Sequence, residues 1–343
     1  MKNITICMLG FGNVGKAFAR LIDRKAESLA SDYNVVFKIV AIATGRHGSA
    51  IDLSGIDINN ALSVLNEPGS LNGLSTISAS ESIEDFIASS KADFLLEISP
   101  VNYETGEPAI THIRTALENK MHAVSANKGP VVHAFRELSE LAKKSGKQFF
   151  FESAVMDGAP IFSVFREALP CSDIIGFEGI LNSCTNILLE LMEQGSTFDD
   201  AVSHAQSIGI AETDPSGDID GWDASIKVAA LATVLMGQPM KPQDVDRLGI
   251  RDLTMEVIKT AKEAGKRWKL VCTAEVLNHK ISAKVAPQLI SPSSPLYSVS
   301  GTSSFVLFKS DVLPGLGILE SNPGPETTAY GLLADILNIL KDN

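Results

Sequence analysis

Residues Gly10–Gly15 carry the sequence GFGNVG, which decides the fold of the first half of the chain. The apolar run Ile4–Leu9 comes directly before them and predicts a buried strand. The amphipathic stretch Val14–Leu29 follows and predicts a helix. A glycine-rich turn between a strand and a helix is the typical context of a dinucleotide-binding site, and we predict that function for this turn.

Each glycine has its own use in that interpretation. Gly10 permits the tight turn, Gly12 lets the backbone approach a pyrophosphate, and Gly15 lets the helix pack closely on the strand. Asn13 and Val14 would offer main-chain N–H groups to the phosphates at the start of the helix. The alternative is an ordinary glycine-rich turn without a ligand.

Short apolar runs alternate with amphipathic ones through the first 150 residues, which predicts a parallel sheet covered by helices. The further predicted strands are Val35–Ala43, Phe94–Ile98, His122–Ser125 and Gln148–Glu152. The predicted helices are Ser82–Ser89, Ala109–Asn119 and Val132–Ser145, and Ala50–Ser80 is expected to be an irregular insertion. We therefore predict an α/β domain with a Rossmann-type doubly wound parallel sheet.

The strict alternation ends after about residue 150, and a second, α+β domain is predicted over 151–319. Its predicted helices are Phe162–Ala168, Ile187–Gln194, Phe198–Ile208 and Ala224–Met236, and its predicted strand regions are Leu270–Val285 and Phe305–Leu319. The amphipathic stretch Thr327–Leu340 is expected to return to the first domain as a helix. The first domain is thus predicted to comprise 1–150 and 320–343.

Composition excludes several classes of partner. The chain has 343 residues, a formal charge of −12 and no run rich in Lys or Arg, so nucleic acid is not an expected partner. No apolar stretch is long enough to predict a membrane span. The start of the chain leaves no room for a signal peptide, and the four cysteines form no CxxC pair. We expect a cytoplasmic protein with reduced thiols.

The loop after the second predicted strand bears on cofactor choice. An acidic residue there usually holds the 2′-hydroxyl of NAD, whereas the 2′-phosphate of NADP needs a cation. Residues 44–48 have the sequence TGRHG, with no acid and with Arg46 as a phosphate-binding candidate. We expect NADP, with NAD as the other possibility, and a solvated loop charge is the alternative interpretation of Arg46.

An acidic loop, Ala211–Asp223, is followed by Lys227. If a helix begins near Gly221, Asp223 and Lys227 stand one turn apart on one face. Carboxylates can hold an ammonium group, and a nearby lysine can exchange a proton with the oxygen on a reacting carbon. The spacing does not fit a calcium loop. A solvated acidic turn that caps the helix remains the alternative.

The chain resembles homoserine dehydrogenases over almost its whole length. The resemblance rests on the order of several blocks: Gly10–Gly15, Ser125–Lys128, Asn182–Asn186, Glu212 to Asp218, Gly221 to Lys227, and Gly324 to Ala329 with Asp335. It implies an oxidoreductase of threonine and methionine biosynthesis that interconverts L-homoserine and L-aspartate 4-semialdehyde. It also implies a short form without a regulatory domain, insensitive to threonine. The second domain would bind the small-molecule substrate and form a homodimer.

The resemblance implies a role for each matching residue. Lys227 would exchange the proton with help from Lys128, and Asp223 would orient both the lysine and the substrate. The residues implied to bind substrate are Glu212, Asp218, Asp214 and Thr185. Those implied to line the nicotinamide are Ser99, Pro100, Asn127 and Thr328 with Ala329. A loop with Glu152, Val155, Asp157 and Ala159 matches one whose backbone carbonyls bind a monovalent cation, such as Na⁺, in some members.

Two departures from the family pattern concern the substrate pocket. Ser183 and Cys184 replace the Gly and Thr that usually follow the first Asn of that block, and Trp222 is bulky for its place beside Asp223. Ser183 and Cys184 favour one alternative, a related NAD(P)-dependent amino-acid or semialdehyde dehydrogenase. The other alternative is a non-catalytic dinucleotide-binding sensor, against which the intact Lys227, Asp223, Glu212 and Lys128 argue.

Overall fold

The structure is a computed structural model that describes residues 1–64, 69–78, 80, 82–278 and 280–341. The chain forms two compact units, residues 1–160 with the chain from Pro325 onward, and Ile161–Gly324. The first unit extends past the expected boundary at 150 because that segment packs on the last helix. There the Glu152 N–H donates to Asp335 Oδ2 at 2.7 Å. Parts of the predicted insertion and of the predicted C-terminal segment (65–68, 79, 342 and 343) lie outside the described residues.

The first unit has six strands and eight helices among its described residues. The strands are β1 (Lys2–Leu9), β2 (Val35–Ala43), β3 (Ser49–Ile51), β4 (Phe94–Glu97), β5 (His122–Ser125) and β6 (Phe149–Phe150). The helices are α1 (Asn13–Arg24), α2 (Ala26–Tyr33), α3 (Ile58–Val64), α4 (Ile83–Ser90), α5 (Ala109–Glu118), α6 (Lys128–His133) and α7 (Phe135–Ser145), with α13 (Pro325–Lys341) closing the unit.

The strand order is β3-β2-β1-β4-β5-β6, and every pair except β2–β3 is parallel. This order reverses direction between β1 and β4, which is where a doubly wound sheet opens a crevice at the carboxyl ends of its strands. Apart from Glu97 at the end of β4, the paired residues of the two strands are apolar and buried, as expected for strands covered on both faces. The sheet therefore brings the ends of β1 and β4 together as the natural ligand site of this unit.

Several predicted elements of this unit are corrected by the structure. Val14–Leu29 is not one helix, because Lys25 leaves helical geometry (φ −96°, ψ 4°) and separates α1 from α2. Ala134 separates α6 from α7 in the same way (φ −140°). The predicted irregular insertion contains β3, α3 and a 3-10 turn at Leu71–Leu74.

The second unit is a mixed sheet packed with helices, in which β8 pairs with β10 in parallel and the other pairs are antiparallel. Its strands are β7 (Ile174–Ile180), β8 (Asp246–Arg247), β9 (Arg267–Leu277), β10 (Lys280–Ile290), β11 (Ser304–Ser310) and β12 (Leu316–Glu320). Its helices are α8 (Ser183–Glu193), α9 (Phe198–Ser207), α10 (Ser216–Ile219), α11 (Trp222–Leu235) and α12 (Met255–Glu263). The order is β12-β11-β7-β9-β10-β8, and α8, α11 and α12 pack against β9.

The α+β prediction holds for this unit, while its details change. Apart from His279, which lies outside the described residues, Leu270–Val285 belongs to the hairpin β9–β10, and Phe305–Leu319 belongs to the pair β11–β12. Neither β7 nor α12 was predicted, and Val164–Ala168 forms a π-helical turn. Within the described ranges, no helix combines the length and apolar character that a membrane span requires.

Candidate functional site

The glycine-rich turn of the first unit has the geometry that a dinucleotide needs. Gly10 adopts φ 103°, and a Cβ there would lie 2.5 Å from the Ile98 carbonyl oxygen at the end of β4. At Gly15 a Cβ would lie 3.0 Å from the Gly10 carbonyl oxygen. At Gly12 a Cβ would meet nothing within 4 Å, so the backbone is open to an approaching group. The turn is closed against the sheet and open at its tip.

Helix α1 begins at this open tip. Among the side chains that the structure describes, none caps its first turn, and the first intrahelical bond runs from the Lys16 N–H to the Gly12 carbonyl at 2.9 Å. The N–H groups that precede Lys16, those of Asn13, Val14 and Gly15, lie at the positive end of the helix dipole. This arrangement fits the pyrophosphate of a dinucleotide.

The loop after β2 presents Arg46 to solvent. The loop is a tight turn in which the Thr44 N–H donates to the Gly48 carbonyl at 3.0 Å and the His47 N–H donates to Thr44 Oγ1 at 2.8 Å. Its five residues contain no carboxylate that could bind a ribose hydroxyl. Arg46 is thus placed at the carboxyl end of β2 on a backbone turn of defined shape.

Three residues implied to line the nicotinamide lie together. Asn127 caps α6 by accepting the Gly129 N–H at 2.9 Å, and its Nδ2 donates to the carbonyls of Ser99 (3.1 Å) and Pro100 (3.2 Å). Lys128 is the half-buried first residue of α6. The fully buried Glu97 also contacts this group, although the sequence analysis did not single it out.

Thr328 lies beside the loop that resembles a cation site. Its hydroxyl donates to Asp157 Oδ1 at 2.6 Å, while Glu152, Val155 and Ala159 are buried. Among the residues that the structure describes, no group of three or more His, Cys, Asp or Glu side chains could hold a metal. The resemblance assigns cation binding in this loop to main-chain carbonyl oxygens, not to such a group of side chains.

In the second unit, α11 places a lysine and a carboxylate together. The helix begins at Trp222, and Lys227 Nζ lies 3.0 Å from Asp223 Oδ2, one turn away. Lys227 Nζ also donates to the Leu181 carbonyl at 2.6 Å, directly after β7. Both side chains are largely buried, with 15% and 12% exposed, so the ammonium group is held in one place by two acceptors.

Asn182 joins this pair to a second carboxylate, and sequence reasoning did not assign it to the site. Its Nδ2 donates to Asp218 Oδ1 at 2.6 Å and to Asp223 Oδ2 at 3.0 Å. Its Oδ1 accepts the N–H and the hydroxyl of Thr185, each at 2.8 Å, which caps α8. A polar residue directly after a strand and before a helix was the available signal. The two carboxylates, Asn182 and Lys227 form what we call the α11 cluster.

Burial and charge change the acidity of this cluster. The pKa of Asp218 is raised, first because the carboxyl is buried and then because the negative Asp223 is close, while the Asn182 amide opposes the rise. Burial also raises the pKa of the Cys184 thiol, as do the charge of Asp218 and a hydrogen bond to it. Cys184 is thus a neutral neighbour of Asp218, in a position where the family usually has Thr.

The structure does not bring every implied substrate residue into the cluster. Glu212 and Asp214 are exposed, and within the described part of the chain no hydrogen bond or ion pair joins their side chains to the α11 cluster. Hydrogen bonds from Ser216 lower the pKa of Asp214. The Thr185 hydroxyl is already engaged with Asn182, so its contribution in this structure is to shape the start of α8.

The two departures at the pocket have structural partners. The Trp222 ring lies under the Arg247 guanidinium, whose carbon is 3.6 Å from the ring centroid, and Arg247 also donates to the Asp220 carbonyl. Trp222 therefore packs on a cation from β8. The Ser183 hydroxyl donates to the Thr302 carbonyl at 2.8 Å, which joins α8 to the loop before β11.

Comparison with known proteins gives one consistent result. The family model described as homoserine dehydrogenase matches residues 160–337, and that for the homoserine dehydrogenase NAD binding domain matches residues 10–152. A homoserine dehydrogenase of Methanocaldococcus jannaschii is 36% identical over 335 residues, covering 97% of this chain and 98% of its own. An NAD(+)-dependent homoserine dehydrogenase of Pseudomonas canavaninivorans is 35% identical over 340 residues, covering 99% and 97%.

Solved structures similar to this chain are also homoserine dehydrogenases. A putative homoserine dehydrogenase of Archaeoglobus fulgidus has a TM-score of 0.84 at 29% identity, covering 98% of this chain and 99% of its own. A hyperthermophilic archaeal homoserine dehydrogenase in complex with NADPH has a TM-score of 0.83 at 29% identity, covering 100% and 99%.

Proposed function

The chain belongs to the homoserine dehydrogenase family, and on that premise we propose that Lys227 is its proton-transfer residue and NADP its preferred cofactor. The family reaction interconverts homoserine and aspartate semialdehyde with a nicotinamide cofactor. The observation that carries the catalytic part is the position of the Lys227 ammonium group, fixed by Leu181 and Asp223 at the start of a buried helix.

The reaction needs a proton carrier for one oxygen atom. Oxidation of homoserine removes a hydride from the carbon that bears the hydroxyl and a proton from its oxygen, and reduction reverses both. The bound nicotinamide supplies or accepts the hydride. Lys227 would give the proton to the aldehyde oxygen in reduction and take it back in oxidation, with Lys128 assisting. Asp223 would orient the Lys227 ammonium group throughout.

The carboxylates of the α11 cluster would hold the substrate. Homoserine carries an ammonium group and a hydroxyl, and both can donate to a carboxylate. Asp218 is the best placed acceptor because Asn182 fixes its orientation beside Asp223. Glu212 and Asp214, exposed on the preceding loop, would attract the substrate's ammonium group by charge. Thr185 would support the pocket through Asn182.

The proposed preference for NADP rests on Arg46 and on the absence of an acid in residues 44–48. Dissociation constants of NADPH and NADH should be measured by fluorescence for the wild type and Arg46→Ala. We expect NADPH binding to weaken by about 1.5–3 kcal/mol, the range for a hydrogen bond to a charged group, with NADH binding nearly unchanged. Lys38→Ala removes an exposed cation on β2, the strand before that loop, and is the matched control. Equal losses for both cofactors, or none, would remove the case for NADP.

We also propose a homodimer formed through the second unit. Several strand residues there are large, apolar and exposed: Ile175, Val276, Leu277, Leu289 and Leu319. Light scattering on the purified protein should give twice the chain mass, and a monomer at micromolar concentration would contradict the assignment.

Two further proposals concern the cation loop and the location. Na⁺ is the proposed occupant of the loop with Asp157, and removing it should lower the melting temperature without changing the protein's preference between cofactors.

A cytoplasmic location is proposed because none of the four cysteines is in a disulfide.

A further inference from the structure

Glu97 is a carboxylate in the middle of the first unit, at the carboxyl end of β4. It is 0% exposed, and its Oε2 lies 2.7 Å from Nδ1 of His112 on α5, which is 7% exposed. Its Oε1 accepts the Ser99 N–H at 2.9 Å and also the Ser99 hydroxyl. A carboxylate in such a place is costly unless every acceptor site is engaged, and these three donors engage both of its oxygens.

Stability alone is a poor reason for such a pair. Apolar residues of similar volume often replace a buried ion pair without loss of stability, so its retention points to a geometric task. The geometry is specific here, because Glu97 binds Ser99 by two bonds only two residues along the chain. His112 holds the other oxygen and so prevents the carboxylate from turning.

The turn that Glu97 holds is fixed from both sides. Glu97 accepts the N–H and hydroxyl of Ser99, while Asn127 Nδ2 donates to the carbonyls of Ser99 and Pro100. The carbonyl of Ile98, one residue earlier, is the atom that a Cβ on Gly10 would strike. The Ser99–Pro100 turn therefore sits against the glycine-rich turn at the crevice between β1 and β4.

We propose that Glu97 and His112 are positioning residues that set the Ser99–Pro100 turn for the nicotinamide end of the cofactor. The proposal rests on the assignment of that turn to the nicotinamide. The pair does not touch the cofactor. It acts by holding the N–H and hydroxyl of Ser99, while Asn127 separately holds the main-chain carbonyls of Ser99 and Pro100. We expect its effect in the nicotinamide half, because the pyrophosphate would approach the open backbone at Gly12, and the Ile98 carbonyl packs against Gly10 instead.

The test compares a ligand that has the nicotinamide ring with one that lacks it. Glu97→Leu/His112→Leu replaces the pair with apolar side chains, and Ser99→Ala removes only the bonded hydroxyl. NADPH is measured against 2′-phospho-ADP-ribose by calorimetry, together with turnover. If the wild type prefers NAD, then NADH and ADP-ribose are used in place of NADPH and 2′-phospho-ADP-ribose. The wild-type measurement alone thus shows whether the proposed cofactor preference fails. Arg114→Ala breaks the exposed pair with Glu137 on the same helix and is the matched control.

We expect both variants to bind the ring-containing cofactor roughly 10-fold more weakly and to lose up to about 100-fold in turnover, the scale of a misplacement near 1 Å. Binding of the ring-free ligand and the behaviour of Arg114→Ala should match the wild type. If binding of both ligands weakened equally, the pair would merely stabilise the unit. If Ser99→Ala left binding and turnover unchanged, Glu97 would not act through this turn. Either result overturns the proposal. If the double variant does not fold, Glu97→Gln and Ser99→Ala decide it by the same comparison.

Discussion

Replacing Asn182 should separate two tasks that one side chain performs. Asn182 is 3% exposed, and its amide both caps α8 and donates to two carboxylates of the α11 cluster. Asn182→Ala removes all of these bonds. Asn182→Ser keeps an oxygen that can accept the Thr185 N–H, but its side chain is too short to reach Asp218 and Asp223. The difference between the variants therefore isolates the cap.

The expected losses follow from the bonds removed. Each hydrogen bond to a carboxylate contributes about 1.5–3 kcal/mol. A helix cap contributes about 1 kcal/mol. Because Asp223 keeps its lysine partner, we expect Asn182→Ala to lower the free energy of unfolding by about 4 to 6 kcal/mol, and Asn182→Ser by about 1 kcal/mol less.

The loss should also depend on pH. The pKa of Asp218 is already raised by burial and by Asp223, and the Asn182 amide opposes that rise. Without the amide, the folded variant binds a proton at higher pH than the folded wild type does. Its stability therefore falls more steeply as pH rises above the ordinary Asp value of 3.8, and the difference from wild type should be larger at pH 8 than at pH 5.

Urea unfolding at the two pH values, with Thr185→Ser as a control for local packing, measures these quantities. Two outcomes would refute the reasoning. Either both variants stay within about 1 kcal/mol of wild type, the size of a cap alone, or the Ala and Ser variants lose stability equally at both pH values.

Two further predictions concern buried groups outside the proposed site. Burial lowers the pKa of His122 to about 4, and its Nδ1 accepts the Gln148 N–H, so the fold favours the neutral ring and loses up to about 3 kcal/mol as pH falls from 6.5 to 4. His122→Asn should flatten that part of the acid-unfolding curve, and an unchanged curve would contradict the assignment. Burial lowers the pKa of Lys269 to about 8, and its ammonium group donates to Asn186 Oδ1 at 2.6 Å. Lys269→Met should destabilise the protein by about 1–3 kcal/mol at pH 7. The loss of stability should be larger at pH 10 than at pH 7, because the wild type gains stability as the buried amine deprotonates. A smaller loss at pH 10 than at pH 7 would contradict the lowered pKa of Lys269.

The fold of the first unit was largely predictable because its signals are local. The first strand, the glycine turn and the start of the first helix lie where the sequence predicts them, because a continuous apolar run and an amphipathic stretch each indicate which residues are buried. The break at Lys25 was not visible, because residues on both sides of it are good helix formers. β7 was missed because its seven residues include two glycines, which are unfavourable in strands.

The candidate site was predictable only in part. Asp223 and Lys227 were found because their spacing on one helix is a sequence property. Asn182 and the Leu181 carbonyl come from another strand end, and only the fold brings them to that helix. Glu97 was missed because it ends a strand that is otherwise apolar and buried, and the sequence of that strand predicts only a structural role. Asp214 and Glu212 matched the family blocks, yet exposure in this structure sets them apart from the cluster.

The proton-transfer role of Lys227 is the central claim, and Lys227→Met tests it most directly. The change keeps most of the apolar stem and removes the ammonium group that contacts Leu181 and Asp223. Turnover with homoserine and the dissociation constant of the cofactor should be measured on one preparation, beside Lys259→Met, an exposed lysine on α12. The account predicts a turnover lower by roughly 100- to 10,000-fold with cofactor binding unchanged, the usual contribution of a positioned acid–base group. Near-normal turnover in Lys227→Met would contradict it.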